Sequence, residues 1–267
     1  MNADFVRRYG PCALILGGSE GIGAAFAQQL AAAGLDLILV ARSAGPLNAT
    51  ANAVRIAHPV KVTTAQIDLA TSGAADQVAA LVDAQEIGLV IYNAGATHGA
   101  GFFLDEPEAK GMTLVYLNCV TPVALLHRVL APMRARRRGG AILLSSMSAM
   151  AGSGLVAVYA ATKAFMLTLA EGLHWELKRD GVDVLCAVAG LTATPAMARS
   201  GILAVNNSGF AAKDPDELAR EVLASLGKRP VWYAVGSVIA AVMHILPRQS
   251  ISQKLTMGAA ALYKIKV

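Results

Sequence analysis

The fold of this chain is decided by a stretch near its N-terminus, Ala13-Leu14-Ile15-Leu16-Gly17-Gly18-Ser19-Glu20-Gly21-Ile22-Gly23. Four apolar residues of strand length are followed at once by a glycine-rich turn, and then by a helical run rich in alanine and leucine. Glycines in such a turn allow a tight change of direction and close packing of the helix on the strand. The stretch therefore predicts a β-strand, a turn and an α-helix, in that order.

The same turn has the chemistry of an anion-binding site. The first turn of a helix leaves backbone N–H groups free and carries a partial positive charge, which suits phosphate groups. The spacing is Gly-x-x-x-Gly-x-Gly rather than the Gly-x-Gly-x-x-Gly of the general dinucleotide fingerprint. We expect a dinucleotide pyrophosphate to lie against this turn, in contact with Gly17, Ser19, Glu20, Gly21, Ile22 and Gly23.

Apolar runs of strand length alternate with helical segments through most of the chain. The predicted strands are Ala13–Leu16, Leu37–Val40, Val60–Gln66, Leu89–Tyr92, Ala141–Ser145 and Val182–Val188. The predicted helices lie near residues 22–33, 45–57, 72–84, 112–136 and 159–180. Near-continuous hydrophobic strands alternating with helices predict an α/β fold, a doubly wound parallel sheet with helices on both faces. Because no repeat or linker divides the chain, residues 1–267 are expected to form a single domain.

The alternating pattern ends after the sixth strand. Residues 190–212 are rich in small and turn-forming residues, and we interpret them as a loop that covers the substrate. A helix restarts at Asp214-Pro215, with a capping Asp and Pro in the first turn. Residues 213–267 are then a C-terminal extension that completes the substrate pocket. Within it, residues 231–246 are the most apolar stretch but fall short of the ~20 residues needed to span a bilayer. We expect them to be buried, and an exposed face that touches lipid or a partner stays open as an alternative.

Composition narrows the class of protein. With 55% hydrophobic and 15% charged residues, the chain can build a large core, and disorder is excluded. The net charge of +5 favours anionic ligands, but it is too diffuse to indicate nucleic acid. The three cysteines and five histidines have no metal-ligand or disulfide spacing, which indicates a reducing compartment and no metal site. No signal peptide is recognisable, so a cytoplasmic location is expected.

Tyr159 and Lys163 stand four residues apart in a predicted helix, so their side chains share one face. A phenol with a free pKa of about 10 is a poor proton donor at neutral pH, and a nearby ammonium favours the phenolate. Lowering that pKa by ~3 units requires ~4 kcal/mol, more than one lysine is expected to supply. An oxidised nicotinamide ring would add a second positive charge. The pair alone arises by chance on many helices, and its meaning depends on the other motifs.

Arg42 follows the second predicted strand, in Val40-Ala41-Arg42-Ser43. Enzymes that select NAD tend to place an acid at this point to hold the ribose hydroxyls, whereas an arginine suits the 2′-phosphate of NADP. Asp36 lies at the wrong end of the strand for that role. NADP(H) is therefore favoured over NAD(H), and a plain surface charge is the alternative for Arg42.

In order, these motifs resemble the classical short-chain dehydrogenase/reductase family over about residues 10–200. Besides the glycine turn, the matching residues are Asp68, Asn93-Ala94-Gly95, Asn118, Ser146, Tyr159, Lys163, Gly190 and Thr194. Three positions depart from the family pattern: Leu16, Tyr92 and Ala189 replace its common threonine, asparagine and proline. Ser145 competes with Ser146, and the spacing of thirteen residues to Tyr159 favours Ser146 by resemblance alone.

The resemblance implies a Rossmann-like fold and a role for each matching residue. Its catalytic set would be Ser146, Tyr159, Lys163 and Asn118, with Tyr159 as general acid or base and Asn118 holding a relay water. Its cofactor-binding set beyond the glycine turn would be Arg42, Asp68, Leu69, Asn93, Ala94, Gly95, Tyr159, Lys163, Gly190, Thr192 and Thr194. The helices at 112–136 and 159–180 form the usual subunit contact of the family, which implies a homodimer or homotetramer.

The candidate pocket residues are apolar: Met147, Met150, Leu155, Val156, Leu191, Met197 and Ile202. No Arg or Lys stands between Gly139 and Lys163 to anchor a small carboxylate, so a hydrophobic ketone or secondary alcohol is favoured. Within the family, the C-terminal tail resembles hydroxysteroid dehydrogenases and long-chain 3-oxoacyl thioester reductases, and aryl ketones are also candidate substrates. The alternatives are a catalytically silent dinucleotide-binding regulator or scaffold, and a peripheral membrane enzyme that docks through residues 231–262.

Overall fold

A computed structural model describes residues 1, 3–83, 85–95, 99–200, 202 and 212–266 of the chain. Its strands, in chain order, are β1 (Cys12–Leu16), β2 (Asp36–Ala41), β3 (Val62–Gln66), β4 (Ile87–Tyr92), β5 (Gly139–Ser146), β6 (Val182–Ala189) and β7 (Val231–Tyr233). They form one parallel sheet in the order β3-β2-β1-β4-β5-β6-β7. The order reverses between β1 and β4, which opens a crevice at the carboxyl ends of these strands.

Helices cover both faces of the sheet. Those before β5 are α1 (Ala3–Tyr9), α2 (Gly21–Ala32), α3 (Ala44–Ala57), α4 (Ala74–Val82), α5 (Glu108–Val115) and α6 (Thr121–Ala135). Those after it are α7 (Ala157–Lys178), α8 (Pro195–Arg199), α9 (Pro215–Ser225), α10 (Ser237–Ile245) and α11 (Arg248–Tyr263). One hydrophobic cluster joins the sheet to α4, α6 and α7, and a second joins the other face to α2, α3 and α9. The predicted doubly wound α/β fold is confirmed.

Predicted and observed elements agree within a few residues. The third strand begins at Val62 instead of Val60, whereas β4 and β5 each begin two residues earlier than predicted. The helix predicted near 112–136 begins at Glu108 and is interrupted by a π-helical turn, Tyr116–Val120. Its 28 residues are enough by length and composition to cross a membrane, but 44% of its most apolar window is buried. Because α6 packs in the hydrophobic cluster on one face of the sheet, we interpret this helix as part of the core.

The loop expected at 190–212 lies partly outside the described residues, since residues 201 and 203–211 are not described. Its two ends are held together at the sheet. Thr192 forms a parallel bridge with Lys213, the Lys213 N–H donates to the Leu191 carbonyl at 2.9 Å, and the Ala193 N–H donates to the Lys213 carbonyl at 3.0 Å. Whatever lies between, the segment starts and finishes at the carboxyl end of β6.

The expectation that residues 231–246 are buried is wrong for most of them. The edge strand β7 takes up three of these residues, and of the residues in α10 only Ala240 is buried. Val238 and Ile245 are 78% and 83% exposed, and Ile239 and Val242 are about half exposed. The physical reason is position: α10 follows an edge strand, so only one side of it meets the rest of the fold.

Candidate active site

The glycine turn is built so that only glycine fits. At Gly17, where φ is 82°, an added Cβ would lie 2.7 Å from the backbone nitrogen of Ala94. At Gly23, an added Cβ would lie 1.9 Å from the Gly17 carbonyl oxygen. Backbone atoms cannot move aside as side chains can, so larger residues would open the turn. The turn thus leaves bare backbone at the N-terminus of α2, as phosphate binding requires.

The ends of three strands meet at this turn. Asn93 lies directly after β4, and its side chain donates from Nδ2 to the Gly17 carbonyl at 2.8 Å. The backbone N–H of Asn93 donates to the Leu16 carbonyl at 2.9 Å. From the end of β6, Thr194 approaches Gly21 so closely that a Cβ there would lie 2.8 Å from its methyl group. Asn93, Gly21 and Thr194 are therefore brought together, as the sequence motifs predict.

The other residues of the glycine turn contact segments that lie outside the turn. The Ser19 carbonyl accepts a hydrogen bond from Thr50 at 2.7 Å, and Ile22 packs against the core. Glu20 forms a two-point ion pair with Arg199 of α8, in which Nη1 lies 3.0 Å from Oε2. Arg199 did not stand out in the sequence. The ion pair ties the glycine turn to the segment that follows β6.

The expected adenosine-side residues lie at the ends of β2 and β3. Arg42 is exposed, and within the described part of the chain its guanidinium has no ion-pair partner. The Asp68 carboxylate accepts one hydrogen bond, from the Ala70 N–H at 3.0 Å, while Leu69 is buried. Since neighbouring strands are about 4.8 Å apart, β2 lies roughly 14 Å across the sheet from β5. That span suits an extended dinucleotide with its adenosine over β2 and β3.

Ser146 and Tyr159 come together at the carboxyl end of β5. Ser146 closes the strand, and its hydroxyl accepts the Ser148 N–H at 3.2 Å and is hydrogen-bonded with the Tyr159 phenol. Burial raises the pKa of the Tyr159 phenol, and the hydrogen bond with Ser146 lowers it. The competing Ser145 is buried, and its hydroxyl donates to the Lys163 carbonyl at 2.7 Å. Ser145 is thus engaged within the fold, and Ser146 is the one available to a ligand.

Lys163 lies one helical turn beyond Tyr159 on α7 and is 4% exposed. Its Nζ donates to the Leu144 carbonyl at 2.9 Å and lies 5.9 Å from the centre of the Tyr159 ring. Burial lowers the pKa of the Lys163 ammonium to about 8. The protein's own groups leave the pKa of Tyr159 above its usual value, and a positive charge bound beside the phenol would lower it.

Asn118 supplies the strongest sign of an additional polar occupant. It is fully buried within the π-helical turn, a distortion that is frequent at functional sites. Its Nδ2 donates to Thr162 Oγ1 at 3.1 Å, whereas its Oδ1 is buried without a partner among the described residues. A Cβ added at Gly95 would lie 2.8 Å from Lys163 Nζ and 3.5 Å from this Oδ1. Gly95, Asn118 and Lys163 therefore surround one small space, which suits a water or a hydroxyl group.

Tyr92 is a site residue whose role the sequence did not reveal. Its phenol replaces the amide of the family pattern, is fully buried, and donates to the Leu117 carbonyl at 2.6 Å. That carbonyl belongs to the residue before Asn118. The tyrosine links the end of β4 to the π-helical turn and fixes the position of Asn118.

The residues after β6 line the same edge of the sheet. Ala189 replaces the expected proline, yet it still pairs with Ser146 in the last register position of β5 and β6. Gly190 follows it, and Thr192 is buried and donates to the Gly190 carbonyl at 3.2 Å. Thr194 caps α8, its hydroxyl accepting the Met197 N–H at 3.1 Å. The proline is not needed to deliver these groups to the crevice.

The predicted pocket residues fall into two groups. Met147 and Met150 pack in one apolar cluster with Tyr233, Met243, Ile251 and Leu255 of the C-terminal extension. The remaining members lie on the segments after β5 and β6, where Leu155 and Ile202 are buried and the others are half-buried: Val156, Leu191 and Met197. The first group shows that α10 and α11 pack beside the end of β5.

The C-terminal helix also reaches the catalytic side chains. Thr256 of α11 accepts the Gly154 N–H at 2.8 Å, and Tyr263 lies close enough to the Tyr159 phenol to interact with it electrostatically. Neither residue carries a motif, so no sequence signal could have found them. No group of three His, Cys, Asp or Glu side chains within the described residues is placed to hold a metal ion.

Comparison with known proteins agrees with this geometry. Residues 11–201 match the family model for short chain dehydrogenase. A 7beta-hydroxysteroid dehydrogenase from Collinsella aerofaciens is 32% identical over 225 residues, covering 83% of this chain and 84% of the relative. A very-long-chain 3-oxoacyl-CoA reductase-like protein from Arabidopsis thaliana is 31% identical over 226 residues, covering 83% of this chain and 72% of the relative.

The fold is shared with solved structures as well. A short-chain dehydrogenase from Sphingobium yanoikuyae in complex with NADPH superposes with a TM-score of 0.80 and 30% identity, covering 92% of this chain and 94% of that one. This chain belongs to the short-chain dehydrogenase family of oxidoreductases.

Proposed function

We propose that the protein is an NADP(H)-dependent oxidoreductase that transfers hydride between the nicotinamide and a hydrophobic ketone or secondary alcohol. The observation that carries the proposal is the convergence of Ser146, Tyr159, Lys163 and Asn118 at one edge of the sheet, beside a turn that only glycine can form. A silent regulator or scaffold would have no need of this arrangement. When bound, the nicotinamide supplies or accepts the hydride.

Tyr159 is assigned the proton transfer. Its phenol would give a proton to the carbonyl oxygen in reduction and take one from the alcohol in oxidation. Ser146, hydrogen-bonded to the same phenol, would donate to the substrate oxygen and stabilise its developing negative charge. Lys163 would hold the nicotinamide ribose, and its positive charge would favour the phenolate.

Asn118 is assigned the path by which the proton reaches solvent. Its unpaired Oδ1 would accept a water in the space beside Gly95 and Lys163. A water needs two or more polar partners at a site of this kind, and the Asn118 oxygen and the Lys163 ammonium provide them. This assignment rests on the orphaned oxygen, since a buried acceptor without a partner is costly.

The preference for NADP(H) rests on Arg42. The guanidinium is exposed at the end of β2 and unpaired within the described residues, so it is free to bind the 2′-phosphate. NADPH in the related Sphingobium yanoikuyae structure supports the same choice. Asp68, with one carboxylate oxygen uncommitted, would bind the adenine edge.

The substrate class rests on the apolar surroundings of Ser146. We propose that residues 190–212 cover the substrate and that residues 213–267 complete its pocket through the cluster with Met147 and Met150. The names of the two relatives, a hydroxysteroid dehydrogenase and a long-chain 3-oxoacyl reductase, favour a bulky apolar substrate. Aryl ketones fit the same description.

We also propose a homodimer or homotetramer. The outward sides of the long helix α5–α6 and of α7 carry exposed large apolar residues, which a subunit contact would bury: Met112, Val120, Val123, Phe165 and Trp175.

The decisive experiment is Tyr159→Phe. NADPH and NADH consumption would be measured against steroid ketones, long-chain 3-oxoacyl thioesters, aryl ketones and small keto acids. Turnover with one bulky apolar class is expected for the wild type, and Tyr159→Phe should reduce it by about a thousandfold or more while NADPH still binds. Arg42→Ala should reduce the NADPH preference and leave NADH activity unchanged. Near wild-type turnover in Tyr159→Phe would refute the assignment.

A further inference from the structure

The helices α10 and α11, together called here the C-terminal cap (residues 237–266), leave an apolar face uncovered. Val238, Ile239, Val242 and Ile245 follow helical spacing, so they occupy an arc of about 120° on one side of α10. All four are exposed, from 49% to 83%. Ala240 and Met243 on the other side contact the protein. Met257 of α11 adds a fifth exposed apolar side chain.

The charge of the same region has one sign. Residues 231–267 contain Arg248, Lys254, Lys264 and Lys266 and no Asp or Glu, so they carry four of the chain's five net positive charges. All four cations are exposed. The segment beside the cap, residues 147–158, contains no acidic residue either. Among the described residues, the acidic side chain that interacts with this region is Glu171 of α7, which acts electrostatically on the Tyr233 phenol.

An exposed apolar arc with cations around it and no acids is typical of a helix that lies in the surface of an anionic membrane. We propose that the C-terminal cap docks the protein onto a bilayer that contains anionic phospholipids. The apolar side chains of α10 would enter the boundary between headgroups and acyl chains, while Arg248 and Lys254 contact phosphates.

Charge and length argue against the other occupants. In a two-fold contact between copies of this chain, the same patch meets itself, so the four cations would face four cations. With nine residues at 1.5 Å each, α10 is about 14 Å long, half of what a bilayer core requires. The cap therefore suits a surface that is both apolar and negatively charged, and it lies on such a surface without crossing it.

The experiment is vesicle co-sedimentation of the full chain. Vesicles of phosphatidylcholine with phosphatidylglycerol are compared with vesicles of phosphatidylcholine alone, at low and at high salt. Binding is expected only with phosphatidylglycerol, and salt should weaken it because exposed charges are screened. Arg248→Gln and Lys254→Gln should each weaken binding about fivefold, as one cation near an anionic surface contributes about 1 kcal/mol.

The apolar contribution is tested by Val238→Asp combined with Ile245→Asp, which should abolish binding. Ile56→Asp is the matched control, since Ile56 is 87% exposed on α3, outside the cap, and binding should be unchanged. Circular dichroism and thermal unfolding establish that each variant is folded. As a second readout, Ile245→Trp should shift its emission to the blue with anionic vesicles, and Ile56→Trp should not.

Three results would overturn the proposal: equal binding to neutral and anionic vesicles, unchanged binding of the double Asp variant, or no vesicle binding at all. In the last case, loss of a self-associated state in the double Asp variant would reassign the face to a second copy. Because vesicle binding is measured without substrate, the outcome is independent of the proposed oxidoreductase activity.

Discussion

Asn118 illustrates how one side chain depends on its neighbours. Its amide is placed by a helix that widens for five residues, held on one side by Thr162 and on the other by the bond from Tyr92 to Leu117. The asparagine could be recognised from the sequence through its match to a family. The π-helical turn and the supporting phenol could not, because neither has a local sequence signature.

Tyr92→Phe tests this support. Removing the phenol oxygen leaves the Leu117 carbonyl without its donor, which should cost about 1–3 kcal/mol of unfolding free energy and lower kcat by displacing Asn118. KM should change little, because Tyr92 is fully buried behind the site. Steady-state kinetics and urea unfolding measure the two effects.

Tyr9→Phe is the matched control. Tyr9 is also buried and donates to Asp183 at 2.6 Å, but it lies at the amino end of the sheet. It should lose stability without losing kcat. If Tyr92→Phe and Tyr9→Phe behave alike in both measurements, Tyr92 has only a structural role.

Lys163 should give the protein a distinctive dependence of stability on pH. Its pKa is about 8 in the folded chain against 10.5 as the ordinary value, so between these values the unfolded chain binds more protons. The free energy of unfolding therefore rises with pH across this window, by up to about 3 kcal/mol at 1.36 kcal/mol per unit. Below pH 8, the cost of burying the ammonium is present in full.

Lys163→Met removes this group. Between about pH 8 and pH 10, the free energy of unfolding measured with urea should therefore rise by roughly 2–3 kcal/mol less in the variant than in the wild type. Other titrating groups are common to both proteins and cancel in the difference. Parallel curves would mean that Lys163 titrates normally.

At the scale of elements, two kinds of glycine can be distinguished: those in the glycine turn, where a larger residue does not fit, and those within helices such as α7, where one does. Gly23→Ala places a Cβ against the Gly17 carbonyl, and forced overpacking of this kind typically costs 1–3 kcal/mol. If the strain falls on the binding conformation, NADPH affinity should fall roughly ten- to hundredfold. Fluorescence titration of NADPH measures it.

Gly172→Ala is the comparison within the same fold. Gly172 lies in the middle of α7, and an added Cβ there would meet nothing within 4 Å. The substitution should raise the unfolding free energy by about 0.5–1 kcal/mol and leave NADPH binding unchanged. Weakened NADPH binding in both variants would show that the effect is not local to the turn.

The sequence predicted those elements whose hydrophobic pattern follows directly from their burial. Strands such as β1 and β6 are continuous or near-continuous apolar runs, and burial on both faces is the cause of that pattern. The prediction failed at α10, whose composition is as apolar as a core helix. The hydrophobicity of a segment predicts that it will be removed from water. Only the tertiary structure determines whether other parts of the same chain bury it.

At the scale of the whole molecule, two apolar surfaces stay exposed, and they should have different partners. The helices α5, α6 and α7 carry both acidic and basic side chains, whereas the charged side chains of the cap are all cationic. Phe165→Glu should convert a sedimenting dimer or tetramer into a monomer, because it puts a charge into the proposed subunit contact. Sedimentation velocity measures the change.

Val238→Asp with Ile245→Asp is the reciprocal control and should leave the sedimentation coefficient unchanged. A wild-type protein that sediments as a monomer at all concentrations would contradict the proposed assembly. Dissociation by the cap variant, with no effect of Phe165→Glu, would exchange the roles of the two surfaces.

The ion pair between Glu20 and Arg199 joins the glycine turn to α8, at the start of the segment that leads away from β6. The Arg199 side chain is 63% exposed, and an exposed pair of this kind contributes at most about 1 kcal/mol. Raising the salt concentration should therefore release α8 from the turn without unfolding the protein or altering the chemistry at Tyr159.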